Sequence, residues 1–284
     1  MNATVYAVRL GVSRGLREFR QSLASADQFF NLFTSVGFLA VLWFQRDTTV
    51  EGTSLSLAAL TLPGMLGMSV AFAGLVGPAG ALAMNREDGT LLRAKAVPNG
   101  MTGYLVGRVT QTSLDTFFGL LLVFLPGALL VGGLAGVGVG GLLYAVPVLA
   151  VGMLATLPWG AVVGSLAKSP QGAMGYTMLP MMPIIAISGI FYPISAMPGW
   201  AQVVAQVFPV YWLGLGTRSA LLPESAAAAE IGGSWRVLEM FGVLGVWAVV
   251  GFLLAPTILR RMARRESGAE MEQRRQAALQ RGVG

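Results

Sequence analysis

Cysteine and histidine are both absent from the 284 residues. Without cysteine there are no disulfides, no thiolate metal sites and no thiol chemistry. Without histidine the chain lacks the commonest general base and the commonest metal ligand. Charge is scarce as well: Asp, Glu, Lys and Arg together make up 11% of the residues, against about 25% in ordinary soluble domains. Lysine is almost missing, with only Lys95 and Lys168. Neither follows a glycine and no GxxxxGK[ST] occurs, so there is no phosphate-cradling nucleotide loop. The carboxylates are scattered. Glu87 and Asp88 are adjacent and point to different faces of any helix, which makes a poor acid/base pair. These absences predict a chain that is not an enzyme and that itself binds no metal and no cofactor.

What is abundant is apolar. Hydrophobic residues make up 55% of the chain, mean hydropathy is +0.68, and several apolar runs approach the length that crosses a bilayer as a helix. The reading is an all-α, polytopic membrane protein. Six spans can be placed, at residues 28–45, 55–84, 102–131, 142–167, 172–191 and 237–259. The second contains Pro63 and Pro78, and the fifth Pro180 and Pro183. Between the fifth and sixth lies a long segment, 192–235, expected as an external helical segment. Glycines 132/136/140 and 160/164 form small-xxx-small patterns, which bring helices close, although 132–140 is expected to be mostly turn.

The net charge is +6, but the basic residues gather at span ends. They read as topology and lipid-headgroup signals, not as a nucleic-acid surface. With both termini in the cytoplasm, only Arg46, Arg218 and Arg236 of the 19 basic residues fall outside. The positive-inside bias therefore favours this orientation, in a plasma or inner membrane. Residues 1–27 spread Arg9, Arg14, Arg17 and Arg20 among Leu10, Leu16, Phe19 and Leu23. That is the pattern of a cytoplasmic interfacial helix, not of a cleavable signal peptide. The membrane domain is then 28–259, and 260–284 is a charged cytoplasmic tail.

The most informative stretch is 85–98, NREDGTLLRAKAVP. Five charges, Arg86, Glu87, Asp88, Arg93 and Lys95, interrupt two apolar runs. One Arg or Asp at mid-bilayer costs roughly 2.5–3.5 kcal/mol even on the mild insertion scale, so this island belongs at a membrane surface. Leu91, Leu92 and Ala96 would give it an apolar ridge, and Glu87, Arg93 and Lys95 a polar rim, as a docking element needs. Gly89 permits a backbone kink and Pro98 ends the helix before the next span.

The island and its sequel resemble the intracellular segment of type-2 permeases of ATP-binding-cassette exporters. The matching positions are Glu87, Gly89, Thr90, Leu91, Arg93, Pro98, Gly107 and Arg108. A second match, SGIFYPISAMPGW onward, places Ser188, Gly189, Tyr192, Pro193, Met197, Pro198, Trp200 and Pro209. The resemblance implies that Arg86 to Pro98 form a coupling helix docking on a separate ATPase subunit, present in two copies, which binds ATP and Mg. It implies a homodimer, or a heterodimer with a second permease. The cargo would be hydrophobic or amphipathic (a drug, lipid or glycan), moved outward.

Other side chains have candidate roles in that setting. Asp115 is the one acid well inside a span, with Arg108 and Gln111 on its face, and it contacts a cationic cargo, pairs with Arg108 or makes a structural hydrogen bond to a neighbouring span. Phe72, Met178 and Met182, with Asp115, are candidates for the cargo path, since flexible thioethers suit varied apolar ligands. Tyr192, Pro193, Met197, Pro198 and Trp200 are candidates for an external gate, with Trp200 and Trp212 suited to the membrane interface. The rival reading is an ATP-independent secondary transporter or membrane-embedded enzyme. The former usually carries inverted repeats and several midplane ionisable groups; a single such acid is found here.

Overall fold

The computed structural model describes residues 3–50, 53, 55–97, 99–131, 138–167 and 169–265. Pro98, Lys168, residues 132–137 and the tail 266–284 lie outside them, as do the side chains of Leu92 and Lys95. The described residues contain ten α-helices, short 3₁₀ turns and no strand; an isolated bridge joins Thr49 and Ser56. The helices are α1 (Ala3–Ser22), α2 (Ala26–Gln45), α3 (Leu57–Glu87), α4 (Thr90–Lys95) and α5 (Gly100–Val131), followed by α6 (Val139–Leu166), α7 (Pro170–Ile187), α8 (Gly199–Val207), α9 (Pro209–Leu221) and α10 (Val237–Arg265).

Four of them, α3, α5, α6 and α10, are long and apolar enough to cross a membrane. α2 has 20 residues and carries the apolar run FFNLFTSVGFLAVLWF. α7 has 18 residues, and its polar start, Pro-Gln-Gly, and internal prolines dilute its hydropathy. Of the six expected spans, four are thus long and apolar enough among the described residues.

Backbones approach closely where glycine removes the side chain. α3 and α6 run in the same direction: a Cβ on Gly160 would lie 2.5 Å from the Leu75 carbonyl, and one on Gly164 2.6 Å from that of Ala79. The small-residue pattern at 160/164 thus serves close helix packing, as the sequence predicts. α1 and α5 also run in the same direction. A Cβ on Gly11 would meet the Gly103 carbonyl at 2.6 Å, and Gly15 is equally tight against Gly107. Ala7, Gly11 and Gly15 are the buried face of α1, while Leu10, Leu16 and Leu23 face away from the bundle. α1 therefore shows glycine to α5 and leucine to its surroundings.

The segment 192–235 does not stay at the periphery. Every residue of α9 except Ser219 is buried. It is enclosed by α3, α6, α7 and α10: Leu213 fills the space left by Gly152, and Met240 and Val148 that left by Gly216. At 13 residues it is about 20 Å long, too short to cross about 30 Å of hydrocarbon. A short helix of this kind is tolerated at membrane depth when protein encloses it. Trp212 is buried, not interfacial; its indole N–H donates to the Gln206 carbonyl at 2.7 Å.

Candidate functional site

One end of the bundle gathers α1, the start of α5, the ends of α3 and α6, and α4. α3 runs through Arg86 and Glu87, so the expected docking helix starts later and is shorter, Thr90–Lys95. Gly89 supplies the break, with φ +72°. The Asp88 carboxylate accepts the Thr90 amide at 2.8 Å and opens α4. Arg93 is exposed and donates to the Thr90 hydroxyl at 3.0 Å; Ala96 and Val97 are exposed beyond it.

Leu91 departs from the expected outward ridge. It is buried against Leu82 and Tyr104, with Ala94, Met101 and Leu259 around it. The leucine anchors α4 to α3, α5 and the end of α10, leaving the polar side outward. Arg86 points inward too. Its guanidinium donates to the carbonyls of Ser165 at 2.9 Å and Ala167 at 3.1 Å, and reaches Gly164 at 3.5 Å. These are the orphan carbonyls at the end of α6, where a cation is also favoured by the helix dipole. Arg86 therefore ties the root of α4 to α6.

Asp115 accepts a hydrogen bond from the Ser22 hydroxyl at 2.6 Å, fixing the end of α1 to α5. Arg108 donates instead to Gln111, at 2.6 Å. A polar cleft of about 300 Å³ opens between α1, α5 and the end of α3, lined among others by Arg14, Glu18, Asn85, Tyr104 and Arg108. None of Phe72, Asp115, Met178 and Met182 lines it. Phe72 packs on the main core with Met181, whereas Met182 is exposed and Met178 half-buried.

At the opposite end, Trp200 and Pro198 are exposed, and Tyr192, Pro193 and Met197 half-buried. Gln45 of α2 donates to the Phe191 carbonyl at 3.0 Å, holding this turn to the bundle. Behind it lie Arg218 and Glu230, 2.6 Å apart and fully enclosed. Arg218 also donates to the Gly189 carbonyl at 3.1 Å. Gly189 sits at φ +64°, and a Cβ there would press on Ile194, so glycine is required. Nothing in composition separates this arginine from a loop cation; the signal is its position inside the apolar helix PVYWLGLGTRSAL. Among the described residues, no group of His, Cys, Asp and Glu is arranged to hold a metal ion.

Residues 29–255 match the sequence profile of a family described as "ABC-2 family transporter protein". The chain is also similar to Nodulation protein J of Rhizobium leguminosarum bv. viciae, at 32% identity over 120 residues. The protein of that name from Rhizobium meliloti (strain 1021) is 30% identical over 120 residues. In both cases the match covers 42% of this chain and 43% of the relative, so the chain spans less than half the length of these relatives.

Proposed function

The chain belongs to the ABC-2 family of transporter membrane subunits, and from that premise we propose that it is the permease of an ATP-driven exporter. A separate ATPase subunit, in two copies, binds ATP and Mg and docks on α4. The permease works as a homodimer or with a second permease chain, and moves a hydrophobic or amphipathic cargo (a drug, lipid or glycan) outward. The observation that carries this reading is the construction around α4. A short, cation-bearing helix stands exposed at one end of the bundle, while Arg86 connects its root to the carbonyls ending α6. Force applied to α4 is thus delivered to two membrane helices.

In this reading α2, α3, α5, α6, α7 and α10 are the six spans, and the α4 end faces the cytoplasm. The end of α10 supports it, because Leu259 packs beside Leu91 at the same end as the start of α1. Residues 85–98 form the coupling region, and Tyr192, Pro193, Met197, Pro198 and Trp200 the outer closure of the path. Asp115 is a structural partner of Ser22. The test is co-purification with the ATPase subunit: Arg93→Glu is expected to weaken association. Unchanged association together with unchanged export would end the docking assignment.

A further inference from the structure

The cleft between α1, α5 and α3 is lined by Arg14, Glu18, Asn85, Tyr104 and Arg108, together with serine and glutamine side chains. It holds two guanidiniums to one carboxylate, and Glu18 is already engaged by the Arg14 Nε at 2.6 Å. Arg108 spends one terminal nitrogen on Gln111. Its Nε is buried and has no hydrogen-bond partner. A buried N–H of a guanidinium without an acceptor is unfavourable unless something supplies one. Tyr104 accepts from the Asn85 amide at 2.8 Å, which leaves its own O–H proton to donate. The cleft therefore offers a buried, unanswered Arg108 N–H, a Tyr104 hydroxyl donor and a net positive charge.

Its height in the fold narrows the chemistry. The apolar run of α5 begins at Phe117, after Thr116, nine residues beyond Arg108, or about 13 Å of helix rise. Leu10, Leu16 and Leu23 on the neighbouring face of α1 look outward. The cleft thus lies at the α4 end of the bundle, beside the start of α5 and the end of α3, where polar side chains gather. Arginine's planar fork suits a phosphate better than a lone charge does.

We propose that this cleft is a binding site for a phosphate-bearing anion, with Arg108 as the principal ligand and Arg14 and Tyr104 beside it. The inference rests on the membrane placement of the chain and not on its pairing with an ATPase.

The test uses the full chain purified in a neutral detergent, without partner or nucleotide. Dioctanoyl phosphatidic acid, dioctanoylglycerol and inorganic phosphate are titrated separately by calorimetry. Phosphatidic acid should bind and dioctanoylglycerol should not. Arg108→Gln should weaken binding about tenfold or more, the factor that one charge-assisted hydrogen bond represents. Arg46→Gln, at the opposite end of the bundle, should bind like the unaltered chain. Where Arg108→Gln does not purify folded, Arg14→Gln carries the same comparison. Inorganic phosphate binding as tightly as the lipid supports the site with a soluble source; preference for the lipid supports it with a membrane source. Absence of phosphatidic acid binding, equal binding by the Arg108 and Arg14 variants, or equal loss in Arg46→Gln would overturn it. Since no ATPase is present, failure here leaves the permease reading standing, and the reverse holds.

Discussion

Arg218 and Glu230 form an ion pair at 2.6 Å in which neither side chain is more than 2% exposed. Arg218 belongs to α9, Glu230 to the connection leading into α10, and the same guanidinium holds the last turn beyond α7 through Gly189. Three segments of the chain therefore meet on one cation. Gly64 and Gly214 leave room for it, since a Cβ at either would lie 3.1–3.3 Å from a guanidinium nitrogen.

Such a pair is sensitive to the loss of one member, because the other charge is left buried alone. Glu230→Leu or Arg218→Met should each destabilise the protein by roughly 3–5 kcal/mol. The double variant should recover a large part of that loss, because replacing both charges removes the desolvation problem along with the attraction. Thermal unfolding in detergent, read for the two singles and the double, decides it. Additive losses would show that the two side chains are not energetically coupled.

The long apolar runs made the helical class and the stronger spans legible in the sequence. The glycine face of α1 was not: Leu10, Leu16 and Phe19 dominate its periodicity, yet Gly11 and Gly15 make the contact with α5. Hydropathy weighs bulk, whereas close helix approach depends on its absence. The docking element was legible as a charged island, but the side chains within it sorted differently, Arg86 and Leu91 turning inward and Arg93 outward. A six-residue helix gives no period long enough to show which face is covered. The burial of Arg218 was not legible, because charge counting assigns a side of the membrane and cannot see a Glu230 waiting twelve residues on.

Asp115 offers a test of a purely structural acid. It accepts from Ser22 across the α1–α5 contact. Asp115→Asn keeps an acceptor and should lie within about 1 kcal/mol of the unaltered chain, while Asp115→Leu should cost about 1–3 kcal/mol by leaving partners unpaired. Ser22→Ala should abolish most of the difference between Asn and Leu at 115. Thermal stability measured across this cycle checks it. Selective loss of cationic cargo export in Asp115→Asn, with stability intact, would instead place the carboxylate on the cargo path.

Orientation can be read by thiol labelling, because the chain has no cysteine of its own. Ser225 and Ala96 are exposed at opposite ends of the bundle. In intact cells an impermeant maleimide should label Ser225→Cys and spare Ala96→Cys, which should react only after permeabilisation. The reverse pattern would invert the assignment of the α4 end to the cytoplasm.

Arg86 and Arg93 stand on either side of the break at Gly89 and should fail differently. Arg93 is exposed on α4, so reversing its charge acts on the encounter with the partner. Arg86 faces the carbonyls of Ser165 and Ala167, so replacing it acts on what happens after docking. Arg86→Gln keeps length and some hydrogen bonding but removes the charge that suits a helix C-terminus, an interaction of about 0.3–1 kcal/mol at exposed sites and up to about 2 kcal/mol when partly buried. The expected outcome is normal co-purification with the ATPase, normal basal hydrolysis, and export reduced relative to ATP consumed. Arg86→Lys should recover part of the export, since a point charge still answers the carbonyls without the full fork. Arg93→Glu should instead lose association first, with hydrolysis and export falling together. Measured in one reconstituted system, the ratio of cargo moved to ATP hydrolysed separates the two. If Arg86→Gln lost association as Arg93→Glu does, Arg86 would belong to the docking surface, and the link from α4 to α6 would not transmit the stroke.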